Sequence, residues 1–130
     1  MSYTTHVTGE FAINPPLTWN EFKDSRFAPH NAKSGWDPSL LLRIDETTVD
    51  TDDGPLLRRT ATALVMRGID EYRERGLVEE VQEAVSSFPG HTFTGRLECE
   101  GDDNTDIWRV IVRDGKAVKI QPRIVWPADE

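Results

Sequence analysis

The chain has 130 residues, 37% of them apolar, with four Trp and five Phe, which is material for one domain with one core and excludes wholesale disorder. Fifteen Lys and Arg against 23 Asp and Glu leave a net charge of −8, which disfavours bulk attraction to nucleic acid or anionic lipid. The one cysteine, Cys99, excludes an internal disulfide framework and fits a reducing cytoplasm. No stretch reaches the ~18 consecutive apolar residues of a membrane helix, and the polar N-terminus does not read as a signal peptide.

Residues 4–13 alternate, with Val7, Phe11 and Ile13 against Thr8, Glu10 and Ala12, the period of a strand with one buried face. Asn14-Pro15-Pro16 is expected to end it, because proline cannot donate to a ladder. Thr18 and Glu21 then stand at capping-box spacing. This predicts a short helix over 19–24 with Trp19 and Phe22 as its buried residues. Residues 25–39 show no period and hold two prolines and a glycine, so they read as a long loop, with Phe27 and Trp36 as rings that can staple it to the core.

Leu40–Val49 and Leu56–Met66 read as two strands joined at Thr51-Asp52-Asp53-Gly54, with helix as an alternative for 57–66. From Asp70 the period changes. Leu77, Val81, Ala84, Val85 and Phe88 form an amphipathic stripe, with Glu79, Glu80 and Glu83 expected in water, and Pro89-Gly90 stops the helix. His91–Glu100 alternates again. Asp106–Arg113 and Lys116–Val125 flank Asp114-Gly115, a strong hairpin signal.

The order β-α-β-β-α-β followed by β-β predicts a single α+β domain over 1–130: a ferredoxin-like core with two helices on one sheet face and an additional C-terminal hairpin. In that arrangement the first and fourth strands are neighbours, with Val7 and Phe11 beside Phe93 and Leu97.

Most site chemistries fail on residue spacing. Asp102, Asn104 and Asp106 occupy the first positions of a calcium loop, but Ile107 and Arg113 stand where Gly and Glu are required. Asp50, Asp52 and Asp53 fail likewise. The histidines His6, His30 and His91 form no zinc spacing with Cys99. A magnesium site from Glu98, Glu100 and loop carboxylates competes with a plainly solvated rim. No nucleophile elbow and no phosphate loop occurs. The expectation is therefore no catalytic residue, no metal and no cofactor.

Two surfaces remain. Two-residue register across Asp114-Gly115 pairs Arg113 with Lys116, Ile111 with Val118 and Arg109 with Ile120, an apolar strip with a basic rim. Burial of both sheet faces explains the strip blandly; a host-protein contact or a homodimer interface is the functional reading. The second surface is the 25–39 loop acting as a lid, with His30, Trp36 and Asp37 joined by Arg96 and Glu98.

The segments Pro15-Pro16-Leu17-Thr18-Trp19, Phe93-Thr94-Gly95-Arg96-Leu97, Glu100-Gly101-Asp102, Asp106-Ile107-Trp108-Arg109 and Asp114-Gly115-Lys116 carry a resemblance. Together they make the chain, from about residue 3 to 127, similar to a family of small uncharacterised proteins of actinobacteria and their phages, a domain of unknown function. The resemblance implies a bacterial or phage intracellular setting and assigns no activity, cofactor or residue role. The leading functional expectation is a non-catalytic protein-binding or regulatory module in the cytoplasm, without nucleic acid or membrane. The alternative is a small-ligand binder or enzyme using the 25–39 loop.

Overall fold

The computed structural model describes residues 5–31, 39–66, 71–72, 76–101, 106–123 and 127. Its elements are β1 (Thr5–Thr18), α1 (Trp19–Phe22), a 3-10 turn (Pro29–Asn31), β2 (Leu40–Thr51), β3 (Gly54–Met66), β4 (Glu71–Tyr72), α2 (Leu77–Ser87), β5 (Thr92–Gly101), β6 (Ile107–Arg113) and β7 (Lys116–Ile120). The strands form one antiparallel sheet in the spatial order β2-β3-β1-β5-β6-β7, with the short β4 pairing β1 at Thr5–His6.

The expected ferredoxin-like core with two covering helices is overturned. The first helix is a single turn of four residues, and α2, with 11, is the one longer helix among the described residues. The sheet is the body of the molecule. The physical reason lies in the run after Thr18: the cap is followed by few apolar residues at helical spacing, and the chain breaks at Lys23–Ser25. One turn without a long apolar stripe cannot form a layer.

β1 does lie against β5, and their register sets Val7 opposite Cys99, Gly9 opposite Leu97, Phe11 opposite Gly95 and Ile13 opposite Phe93. Val7, Phe11, Ile13 and Leu17 are buried on the face covered by α2, where Leu77, Val81, Ala84 and Val85 meet Phe93, Leu97, Cys99, Trp108 and Val110. Pro15 and Pro16 do not end β1. It continues through a cis Asn14–Pro15 bond and an irregular stretch between Ala12 and Leu17, then pairs again at Leu17↔Ala61 and Thr18↔Thr60. The prolines sit where no ladder bond is asked of them.

Gly9 and Gly95 make one close approach. Their φ angles are +104° and +124°, and an added Cβ would lie 2.3 Å from the Arg96 carbonyl oxygen and 2.4 Å from that of Glu10. Only glycine lets β1 and β5 come this close.

β4 occupies Glu71–Tyr72, and α2 begins at Leu77. One further expectation changes. Glu80 is not in water; it is buried, and its Oε1 accepts the Leu40 N–H at 3.0 Å, tying α2 to the start of β2. Residues 57–66 are strand, the reading preferred from the sequence over the helical alternative.

The terminal hairpin extends the sheet. Its register is Arg109↔Ile120, Ile111↔Val118 and Arg113↔Lys116. The Gln82 side chain of α2 holds it: Ala117 N–H donates to Oε1 at 2.8 Å, and Nε2 donates to the Gly115 carbonyl at 3.2 Å.

Candidate binding groove

The hairpin β2–β3 outruns its neighbours. β1 leaves β3 at Thr18↔Thr60, while β2 and β3 stay paired to Thr51↔Gly54. From Gly54 to Arg59, β3 therefore has β2 on one side and no strand on the other among the described residues.

The corner that β1 vacates is turned by α1. Thr18 N–H donates to Glu21 Oε1 at 3.0 Å, and the Thr18 hydroxyl donates to the same oxygen at 3.1 Å. That is the capping-box carboxylate reaching back to the N-cap. The first helical residue, Trp19, was expected in the core, but it is 40% exposed. Its ring is held by three neighbours: Phe22 edge-on at 5.4 Å, the His30 imidazole at 5.2 Å and the Arg59 guanidinium at 6.0 Å.

Leu56 and Leu57 of β3 line the same corner, 52% and 53% exposed. A groove of about 650 Å³ runs between them, closed by Thr18, Asn20, Arg58 and Thr60. Of the large apolar side chains exposed among the described residues, Trp19, Leu56 and Leu57 line this groove and Ile107 lies elsewhere. Arg59 pairs with Glu46 across the hairpin at 2.6 Å.

His91 fixes the same corner from behind. Its Nδ1 lies 2.5 Å from the Pro15 carbonyl and its Nε2 lies 2.6 Å from Glu21 Oε2. Both contacts are acceptors, so the ring satisfies them only by carrying both protons. Burial favours the neutral ring, but the Pro15 carbonyl and then Glu21 outweigh it and hold the His91 pKa above its ordinary value. The Thr18 N–H, followed by His91, holds the Glu21 carboxyl below the ordinary carboxylate range. A ring fully engaged in this way positions the corner and is not poised to shuttle protons.

The two surfaces expected from the sequence fare differently. Arg109, Ile111, Arg113, Lys116, Val118 and Ile120 do share one face of β6–β7, as their register requires. Arg109, Arg113 and Lys116 are exposed, but Ile111, Val118 and Ile120 are each half-buried. The strip is thus less open than the groove. Arg109 pairs with Glu98 at 3.0 Å, and Arg96 pairs with the same Glu98 oxygen at 2.7 Å.

The lid constellation is not brought together. His30 sits on the 3-10 turn against Trp19, with Nε2 2.7 Å from the Lys23 carbonyl. Arg96 and Glu98 belong to β5, and no described hydrogen bond, ion pair or ring contact joins His30 to them. Trp36 and Asp37 lie outside the described residues. The loop ring that is described, Phe27, is buried, and its carbonyl accepts the Leu42 N–H at 2.8 Å.

The sequence reading missed the groove, although a signal was there. Leu56-Leu57 is an adjacent apolar pair in a strand, and alternation forces the two onto opposite faces, so one is exposed unless both faces are covered. Among the described residues, no cluster of three or more His, Cys, Asp or Glu could hold a metal ion, and no helix is long and apolar enough to cross a membrane.

Fold and site together define a small antiparallel-sheet protein with, among the described residues, one helix of more than a single turn and an apolar groove at a vacated strand edge. The chain belongs to the family of unknown function DUF6205, whose model matches residues 1–130. No curated protein and no solved structure matches the chain.

Proposed function

We propose that the protein is a non-catalytic binding module whose groove at Trp19, Leu56 and Leu57 receives an extended segment of another polypeptide. One observation carries the reading: three of the four large apolar side chains exposed among the described residues line the groove where β3 loses β1 as a neighbour. Such patches with a polar rim mark interaction sites. Arg58, exposed and without an ion pair among the described residues, gives the groove a positive charge, which favours a partner segment with negative charge. A second copy pairing through the same edge would bring the Arg58 of both chains to one seam, and like charges on paired strands disfavour it. Cys99, the one cysteine of the sequence, is buried, which suits a reducing compartment such as the cytoplasm.

The test is panning an unbiased phage-displayed library of random peptides, about a dozen residues long, on the immobilised chain. Enriched peptides are expected to compete with one another and to lose binding to Leu57→Asp and Trp19→Ala. Leu57→Asp alters an exposed site, so its stability should stay within ~0.5 kcal/mol of the parent. The proposal fails if nothing is enriched, or if enriched peptides bind Leu57→Asp as well as the parent. A concentration-dependent dimer abolished by Leu57→Asp would assign the groove to a second copy and overturn it too.

A further inference from the structure

The groove has a backbone direction and a charge as well as an apolar floor. Among the described residues, β3 bonds to β2 on one side only from Gly54 to Arg59. In an antiparallel pair, alternate residues turn their N–H and C=O away from the partner, here into the space that β1 leaves at Thr18. Pro55 supplies no N–H, so the donors of this free edge lie between Leu56 and Arg59.

Strand alternation sorts the side chains. Leu57 and Arg59 share the face on which Arg59 meets Glu46 and lies over Trp19. Leu56 and Arg58 share the opposite face. The charge of Arg59 is engaged by Glu46 at 2.6 Å, whereas Arg58 is exposed and has no ion pair or hydrogen bond among the described residues.

Resting on the docking reading above, we infer that the partner segment joins the sheet as an added strand along Gly54–Arg59, in line with β1, and sets a carboxylate against Arg58. An apolar side chain of the same segment covers Leu57 and Trp19. The two contacts lie on opposite faces of the added strand. The apolar and acidic residues are therefore neighbours in the partner sequence or an odd number of positions apart. Main-chain bonds provide the attachment, and the alternating side chains provide the selectivity.

Two measurements test this with the peptides enriched on the full chain. In amide hydrogen exchange on the ¹⁵N-labelled chain, peptide binding should protect amides between Leu56 and Arg59 and leave those of β7 unchanged. Replacing the peptide's acid by its amide should weaken binding about 3- to 5-fold, the scale of a partly exposed ion pair. Arg58→Glu should weaken the parent peptide by at least as much, and a lysine in place of the peptide's acid should restore binding to Arg58→Glu. The inference is overturned if protection falls elsewhere, if acid and amide peptides bind equally, or if enriched sequences lack an acid at the stated spacing. Peptides that need Leu57 yet show none of these features refute strand addition and leave the groove standing. Peptides indifferent to Leu57 refute both.

Discussion

Substituting Gly9 or Gly95 by alanine tests the close approach of β1 and β5, the two strands that carry the core. At Gly9 the new Cβ would lie 2.3 Å from the Arg96 carbonyl oxygen, and at Gly95 it would lie 2.4 Å from that of Glu10. Both obstacles are backbone in paired strands, so neither moves without displacing the ladder. The φ angles of +104° and +124° add strain of ~1–3 kcal/mol per site for a residue with a side chain. Overpacking that shifts backbone costs a further ~1–3 kcal/mol. Each variant should lose about 2–6 kcal/mol, against a total of ~5–15 kcal/mol for a domain. At ~4 °C per kcal/mol this is a fall in Tm of about 8–24 °C, read by circular dichroism. Gly90→Ala is the control: its φ is +84° but its Cβ would meet nothing within 4 Å, so it should cost only about 1 kcal/mol. The reasoning is refuted if Gly9→Ala melts as Gly90→Ala does.

His91 makes the corner behind Trp19 sensitive to pH. Its folded pKa is raised, so its contribution to stability is complete below the unfolded value of about 6.5 and is lost as pH rises through the folded value. Urea midpoints across that range should fall for the parent and stay flatter for His91→Gln; equal slopes would contradict the assignment. Glu80→Ala removes the acceptor of the buried Leu40 N–H and should cost ~1–3 kcal/mol, with Glu80→Gln milder because it keeps an acceptor. Equal losses from the two variants would show that the bond is not what matters. Gln82→Ala should speed amide exchange at Ala117 while leaving Leu97 slow, since it frees the terminal hairpin from α2 and leaves β1–β5 intact.

What the sequence made legible was local. The Asp114-Gly115 turn fixed the pairing of Arg109 with Ile120 because a two-residue loop leaves no freedom of register. The stripe from Leu77 to Val85 marked α2 because its period has a single packing consequence. The helix 19–24 was overlong because a cap starts a helix but cannot sustain one. Glu80 looked solvated because its partner, the Leu40 amide, is 40 residues away. Gly9 and Gly95 were silent because a close backbone approach leaves no hydropathy pattern. The His91–Glu21 pair, 70 residues apart, was invisible for the same kind of reason as Glu80. The groove needed two facts absent from any local window: where β1 leaves β3, and that Trp19 sits on a turn too short to bury it.

The most direct measurement is a crystal structure of the chain with an enriched peptide. The account predicts an extended peptide beside Gly54–Arg59, in line with β1, touching Trp19 and Leu57. A peptide lying instead on the face of Ile111, Val118 and Ile120 would contradict it.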